Sequence, residues 1–289
     1  FFKGMISSDG KIIGARINIL PDGKKLDKAY SLFSEELTIH DEKSNSHWDV
    51  IYKNPGGTFS YVYTLDKKRK AVKEKYNEVK EFEKIFPLLK RNAFNALGKN
   101  DEMALPMNTL FNTYMRVGNE IYYKTHKHKG LATLKKGDVS IKNNNVTFSY
   151  LSKGGVPVSI EKKFPDVYVK LLKNNLKKLK NSDFVFTNSG KILREDDFKS
   201  AFKKYCGKEF YPHIIRSYYA TKTAEEFLKD NKNFDKNDVK ELFLKIASEL
   251  GHKKFNKKKN EWEPSFNVTI RHYIQPELVD RMLLFKTKP

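Results

Sequence analysis

The spacing of apolar residues changes at Asp66, and this change limits the fold more than any other feature of the 289-residue chain. Before it, short apolar stretches are separated by turn residues. Lys11-Ile12-Ile13 follows Asp9-Gly10, Ile17-Asn18-Ile19-Leu20 runs into Pro21-Asp22-Gly23, and Phe59-Ser60-Tyr61-Val62-Tyr63 follows Gly56-Gly57. Apolar and polar residues alternating between Gly, Pro and Asp predict strands joined by tight turns. After it, Val72, Tyr76, Val79, Phe82 and Ile85 recur at helical spacing, and Pro87 is expected to break or kink that helix.

One β island interrupts the helical region. Val139 and Ile141, then Val146, Phe148 and Tyr150, then Val156, Val158 and Ile160 each repeat every second residue, as half-buried strands do. Asn143-Asn144-Asn145 and Ser152-Lys153-Gly154-Gly155 supply the two turns, so Lys153 projects from a hairpin tip. Helical spacing resumes after Pro165 through Val169, Leu172, Leu176 and Leu179, and further helices are expected around 195–205, 213–229, 236–250 and 266–284. The predicted class is α+β: a small β-rich N-terminal domain over residues 1–75, then a mostly α-helical domain over 76–289 that carries a three-stranded β-sheet. The length accommodates two domains.

Lys and Arg total 56 against 35 Asp and Glu, a net charge of +21, which favours a polyanionic partner, with nucleic acid foremost. Hydrophobic residues at 39%, with 21 Phe and 15 Tyr, supply a core, so this charge does not signal disorder. Only 8 of the basic residues are Arg, and a residue used so sparingly suits sites that need a planar fork on phosphate or carboxylate. The single cysteine, Cys206, excludes an internal disulfide and a cysteine-based zinc cluster, and fits a reducing, intracellular compartment. Cys206 itself is expected to be a small buried hydrophobe. No apolar run reaches a membrane span, and Phe1-Phe2-Lys3 lacks a signal-peptide layout. The first residue is not Met, so residues are expected upstream. His126 and His128 have no nearby carboxylate or cysteine, so no metal site is expected, and no phosphate-cradling glycine loop suggests ATP use. No cofactor is expected.

Five elements could carry chemistry. They are Arg116 in Tyr114-Met115-Arg116-Val117-Gly118-Asn119-Glu120, the hairpin Lys153, His213-Ile214-Ile215-Arg216 opening a helix, His252 in Leu250-Gly251-His252, and Tyr273 in Thr269-Ile270-Arg271-His272-Tyr273-Ile274-Gln275-Pro276. None is specific alone. Their order resembles that of the type IB DNA topoisomerases, especially the compact poxvirus-like form. Tyrosine recombinases share the arrangement, but Arg116-Val117-Gly118 through Gly130-Leu131-Ala132-Thr133-Leu134, followed by three strands, looks more like the topoisomerases. Tyr273-x-x-Pro276 is similar to cellular members. The resemblance covers roughly residues 60–285.

It implies an ATP-independent, metal-independent enzyme that relaxes supercoiled duplex DNA, acting as a monomeric clamp with residues 76–289 as the catalytic domain. Tyr273 would be the nucleophile, forming a 3′-phosphotyrosine. Arg116 and Arg216 would hold the scissile phosphate, His252 would add a hydrogen bond, and Lys153 would protonate the leaving 5′-oxygen. A phenol with an ordinary pKa of about 10 needs such a cationic setting to attack at neutral pH. His213, one helical turn before Arg216, would bind or orient the phosphate. Tyr61, Tyr63, Arg69 and Tyr76 are the candidate DNA contacts of the N-terminal region. The stretch Lys253-Lys254-Phe255-Asn256-Lys257-Lys258-Lys259 is expected to be an exposed basic loop between His252 and Tyr273. Two alternatives stay open: a tyrosine recombinase or integrase, which would exchange strands between paired duplexes, and a non-catalytic DNA-binding protein on the same scaffold.

Overall fold

The computed structural model describes residues 2–6, 12–40, 48–54, 57–99 and 101–284. Asp9-Gly10, Lys11 and Gly56 lie outside them. The chain divides into two compact units, Phe1–Glu78 and Val79–Pro289, with strands concentrated in the first and helices in the second.

In the first unit, β1 (Phe2–Ile6), β2 (Ile12–Ile19) and β3 (Lys25–Ser31) form one antiparallel sheet. β4 (Glu35–Ile39), β5 (Val50–Lys53) and β6 (Phe59–Val62) form another. The turn after Leu20 closes with Gly23 donating to the Leu20 carbonyl at 2.9 Å. Leu20, Leu26, Tyr30, Val50 and Val62, drawn from both sheets, make one buried cluster. Two carboxylates hold the exit of this unit. Asp27 accepts from the Tyr63 amide at 3.0 Å, and Asp49 accepts from the Thr64 amide at 2.6 Å while pairing with Lys67 at 2.7 Å. They satisfy backbone donors where the long helix α1 (Leu65–Asn95) begins.

α1 crosses the division between units and runs through Pro87, contrary to the expected break. An internal proline costs a helix about 3 kcal/mol. Phe82 and Leu89 on either side are fully buried, and Phe86 packs against Phe111 and Tyr218 at ring distances of 5.5 and 4.9 Å. That aromatic burial outweighs the lost backbone bond.

The second unit continues with α2 (Ala104–Thr113), α3 (Glu120–His126), the three-stranded sheet β7 (Val139–Lys142), β8 (Asn145–Ser152) and β9 (Val156–Lys163), and α4 (Asp166–Lys177). A two-residue pair, β10 (Thr187–Asn188) and β11 (Lys191–Ile192), leads to α5 (Glu195–Cys206), α6 (Ile214–Asp230) and α7 (Lys236–Glu249). The expected basic loop is instead an antiparallel hairpin, β12 (Lys253–Asn256) and β13 (Glu261–Pro264), in which Phe255 faces Trp262 across the strands. Such a cross-strand aromatic pair stabilises a hairpin that the lysines alone would leave open. The helix expected over 266–284 is two: α8 (Asn267–His272) and α9 (Pro276–Leu284). Pro276 opens the second, where its missing N–H costs nothing, and it biases Gln275 away from helical angles. Tyr273 sits in that break. Cys206 is half-buried, its thiol donating to the Phe202 carbonyl at 3.1 Å. Among the described residues no helix is long and apolar enough to cross a membrane.

Candidate active site

Tyr273 ends α8, its amide donating to the Thr269 carbonyl at 2.9 Å. Its ring joins the apolar cluster of Ala220, Phe243, Ile246, Leu250 and Leu278, leaving 3% of the residue exposed. Thr221 of α6 clasps the bend after it, donating to the Tyr273 carbonyl and accepting from the Gln275 amide, both at 3.2 Å. The phenol oxygen lies 2.8 Å from Nε2 of His213, an exposed residue at the N-terminal cap of α6.

Arg216, on the next turn of α6, is 2% exposed, with its guanidinium carbon 5.1 Å from the Tyr273 ring centre. Nη1 donates to the Tyr114 carbonyl, and Nη2 donates to the Leu250 carbonyl at 2.8 Å and to Nε2 of His252 at 3.0 Å. Nε is buried and has no hydrogen-bond partner among the described residues. Burial pulls the Arg216 pKa down, the Tyr273 phenol pushes back, and Arg116 adds to the decrease. An arginine nonetheless stays charged at any working pH.

His252, 8% exposed, packs its ring 5.0 Å from that of Tyr273. Its Nδ1 is 2.8 Å from the hydroxyl of the fully buried Thr269. Burial first, then the charges of Arg216, Arg116 and His272, lower its pKa to about 3, so it is neutral in the folded chain.

Arg116 is half-buried, and its charge is felt at Arg216, His252 and Tyr150. A glycine contact holds its backbone. The Arg116 carbonyl accepts from the Leu131 amide at 2.9 Å, and a Cβ on Gly130 would meet that carbonyl and the Gly118 nitrogen at 2.6 Å. Gly118, at φ +85°, approaches from the other side. Only glycine fits at such a crossing of two backbones.

Lys153 occupies the β8–β9 tip, is exposed, and rests over the Tyr122 ring at 5.8 Å. The structure therefore gathers Tyr273, His213, Arg216 and His252 in direct contact, with Arg116 in electrostatic reach, and leaves Lys153 against α3. Of the N-terminal candidates, Tyr61 is 40% exposed on β6 and Arg69 is exposed beside Asp66 at 3.4 Å. Tyr63 is half-buried, its pKa raised by burial and then by Asp27. Tyr76 is 6% exposed, a burial that leaves little of its ring for a groove contact, because its helical position faces the core. His126 and His128 stack at 5.5 Å, and among the described residues no group of three His, Cys, Asp or Glu could hold a metal ion.

Thr269, Thr221 and Tyr150 were not singled out from sequence. Thr269 lies one helical turn before Tyr273, a spacing that could have drawn attention to it. Thr221 and Tyr150 carry no such signal, since the fold alone brings them near.

A model of the catalytic core of eukaryotic DNA topoisomerase I matches residues 65–270. The chain belongs to that family. The matched stretch holds Arg116, Lys153, His213, Arg216, His252 and Thr269, and Tyr273 lies just past its end. As a topoisomerase I family member the protein is an isomerase-class enzyme. DNA topoisomerase 1B of Acanthamoeba polyphaga mimivirus is 25% identical over 229 residues, which cover 72% of this chain and 68% of the viral protein. Among solved structures, XerH site-specific recombinase bound to its difH substrate before cleavage matches with a TM-score of 0.37 at 19% identity, over 56% of this chain and 44% of the recombinase. Its post-cleavage complex on palindromic difH matches with a TM-score of 0.41 at 19% identity, over 68% and 51%. The chain thus spans about half the length of those recombinase chains.

Proposed function

We propose that this topoisomerase family member is a type IB enzyme that relaxes duplex DNA through a transient 3′-phosphotyrosine at Tyr273, with neither ATP nor metal. The observation that carries this reading is the convergence of Arg216, His252 and His213 on one buried phenol. Phosphoryl transfer needs an in-line nucleophile, donors for the non-bridging oxygens and a proton for the leaving group. The Tyr273 oxygen attacks phosphorus as the bond to the 5′-oxygen breaks. The phenolic proton passes to His213 or to water beside it, and Lys153 supplies one to the leaving oxygen. Arg116 and Arg216, the latter with a buried N–H in reserve, neutralise the charge that builds on the phosphate. The free 5′-hydroxyl end rotates and then attacks the phosphotyrosine, which has kept the bond energy needed for resealing.

Duplex DNA is the proposed partner, and the charge of +21 supports it. Protein mixed with supercoiled plasmid and quenched in denaturant should leave protein covalently attached to nicked DNA. Tyr273→Phe should leave none. Equal trapping by both proteins would overturn the assignment.

A further inference from the structure

The histidine beside the nucleophile raises a problem of hydrogen-bond polarity. Nε2 of His252 faces Nη2 of Arg216 at 3.0 Å, and a guanidinium only donates. Nε2 is therefore an acceptor, and the proton of the neutral ring is on Nδ1, donated to the Thr269 hydroxyl at 2.8 Å. A scissile phosphate only accepts. If it takes the place of Nε2 on Arg216, the imidazole can stabilise it only by donating from Nε2. An imidazolium would donate from both nitrogens, but burial and the charges of Arg216 and Arg116 hold this ring neutral in the free protein, its pKa lowered to about 3. A neutral ring that donates from Nε2 is the other tautomer.

We propose that Thr269 is the positioning residue that allows this change, holding the His252 imidazole in place while Nε2 passes from acceptor to donor on phosphate binding. A hydroxyl accepts from Nδ1–H in one tautomer and donates to bare Nδ1 in the other, which a carbonyl or an ammonium cannot do. The proton balance closes through a brief opening of the His252–Thr269 contact, in which Nδ1 releases one proton to water and Nε2 takes one from water, leaving the net charge unchanged. Thr269 is fully buried, so no solvent competes for its hydroxyl. Its carbonyl also accepts from the Tyr273 and Ile274 amides at 2.9 and 3.3 Å. One residue thus ties the ring that serves the phosphate to the backbone of the residue that attacks it. The proposal rests on the phosphoryl-transfer reading above.

The test compares Thr269→Val, which keeps shape without the hydroxyl, with Thr269→Ser. The expected result is a single-turnover cleavage rate lowered about 10- to 100-fold by Val and restored by Ser, with duplex affinity unchanged. In a His252→Gln background, Val should add no further loss, because the two residues act as one unit. An undiminished Val effect in that background, or equal losses from Val and Ser, would overturn the proposal. Imidazole nitrogen-15 shifts give a reading independent of activity. His252 should be the Nδ1–H tautomer in the free wild-type chain and should gain the Nε2–H form on binding duplex, a shift that Thr269→Val should diminish. An Nε2–H ring in the free protein would rule the idea out even if no DNA were cleaved, while loss of trapping in the wild type alone would count only against the phosphotyrosine reading.

Discussion

Arg216 commits both terminal nitrogens to the protein and leaves Nε buried without a hydrogen-bond partner among the described residues. Leaving a buried donor unmade costs about 1–3 kcal/mol, and such a cost at a reactive site is recovered when an anion arrives. The carbonyls of Tyr114 and Leu250 meanwhile fix the plane of the guanidinium, so its geometry does not wait for substrate. His252 carries a second cost. In the unfolded chain its imidazole takes a proton near pH 6.5, whereas in the fold it resists protonation until about pH 3. Between those values the unfolded state holds more protons, so this residue lowers stability progressively as pH falls from 6.5 toward 3. Urea midpoints at pH 7 and pH 5 should drop more in the wild type than in His252→Gln. Equal drops would mean that His252 is not held neutral. At this scale the sequence offered Arg, His and Tyr as candidates for phosphate chemistry, and the structure brings His213, Arg216 and His252 against Tyr273. The burial that neutralises His252 was not, since it depends on packing from α6, α7 and α8 together.

Among elements, the β8–β9 hairpin that carries Lys153 is tied to the segment around His252 in three places. Lys162 pairs with Glu249 at 2.6 Å, Lys253 donates to the Pro157 carbonyl at 3.0 Å, and Val158 stands 3.3 Å from where a Cβ on Gly251 would lie. Gly251 also sits at φ +67°, where a side chain is strained. Gly251→Ala should therefore lower stability by about 1 kcal/mol or more and push the hairpin outward. If Lys153 protonates the leaving oxygen, that push should slow cleavage of an ordinary phosphodiester. A substrate with sulfur in place of the 5′-oxygen, whose leaving group needs no proton, should be spared. Equal slowing on both substrates would separate the hairpin from proton delivery. The period-two pattern revealed this sheet, and its turns lie where Asn143 and Gly154 were expected to allow them. Helix α1 does not break at Pro87, because the local rule is outweighed by the packing of Phe82, Phe86 and Leu89. The Lys253–Lys259 stretch was misread because its lysines conceal the Phe255–Trp262 pair.

For the whole molecule, the unevenness of charge matters more than any single ion pair. Surface pairs such as Lys208–Glu81 and Lys53–Glu36 contribute little to stability. The unbalanced lysines instead supply a field for a polyanion. Affinity for a short duplex, followed by fluorescence anisotropy, should fall steeply with salt, by roughly 10³–10⁵ between 50 and 200 mM if about 6–10 phosphates are neutralised. A flat salt dependence would remove the electrostatic basis for the DNA reading. The two-part organisation was legible from the change of period at Asp66, while the course of one helix across both units was not. Tyr273, finally, shares the chain with Tyr61, Tyr122 and Tyr211, all of which stand in solvent. A nitrating or iodinating reagent reaches those rings first, so the protein can accumulate considerable chemical damage on its surface before losing the phenol proposed as its nucleophile.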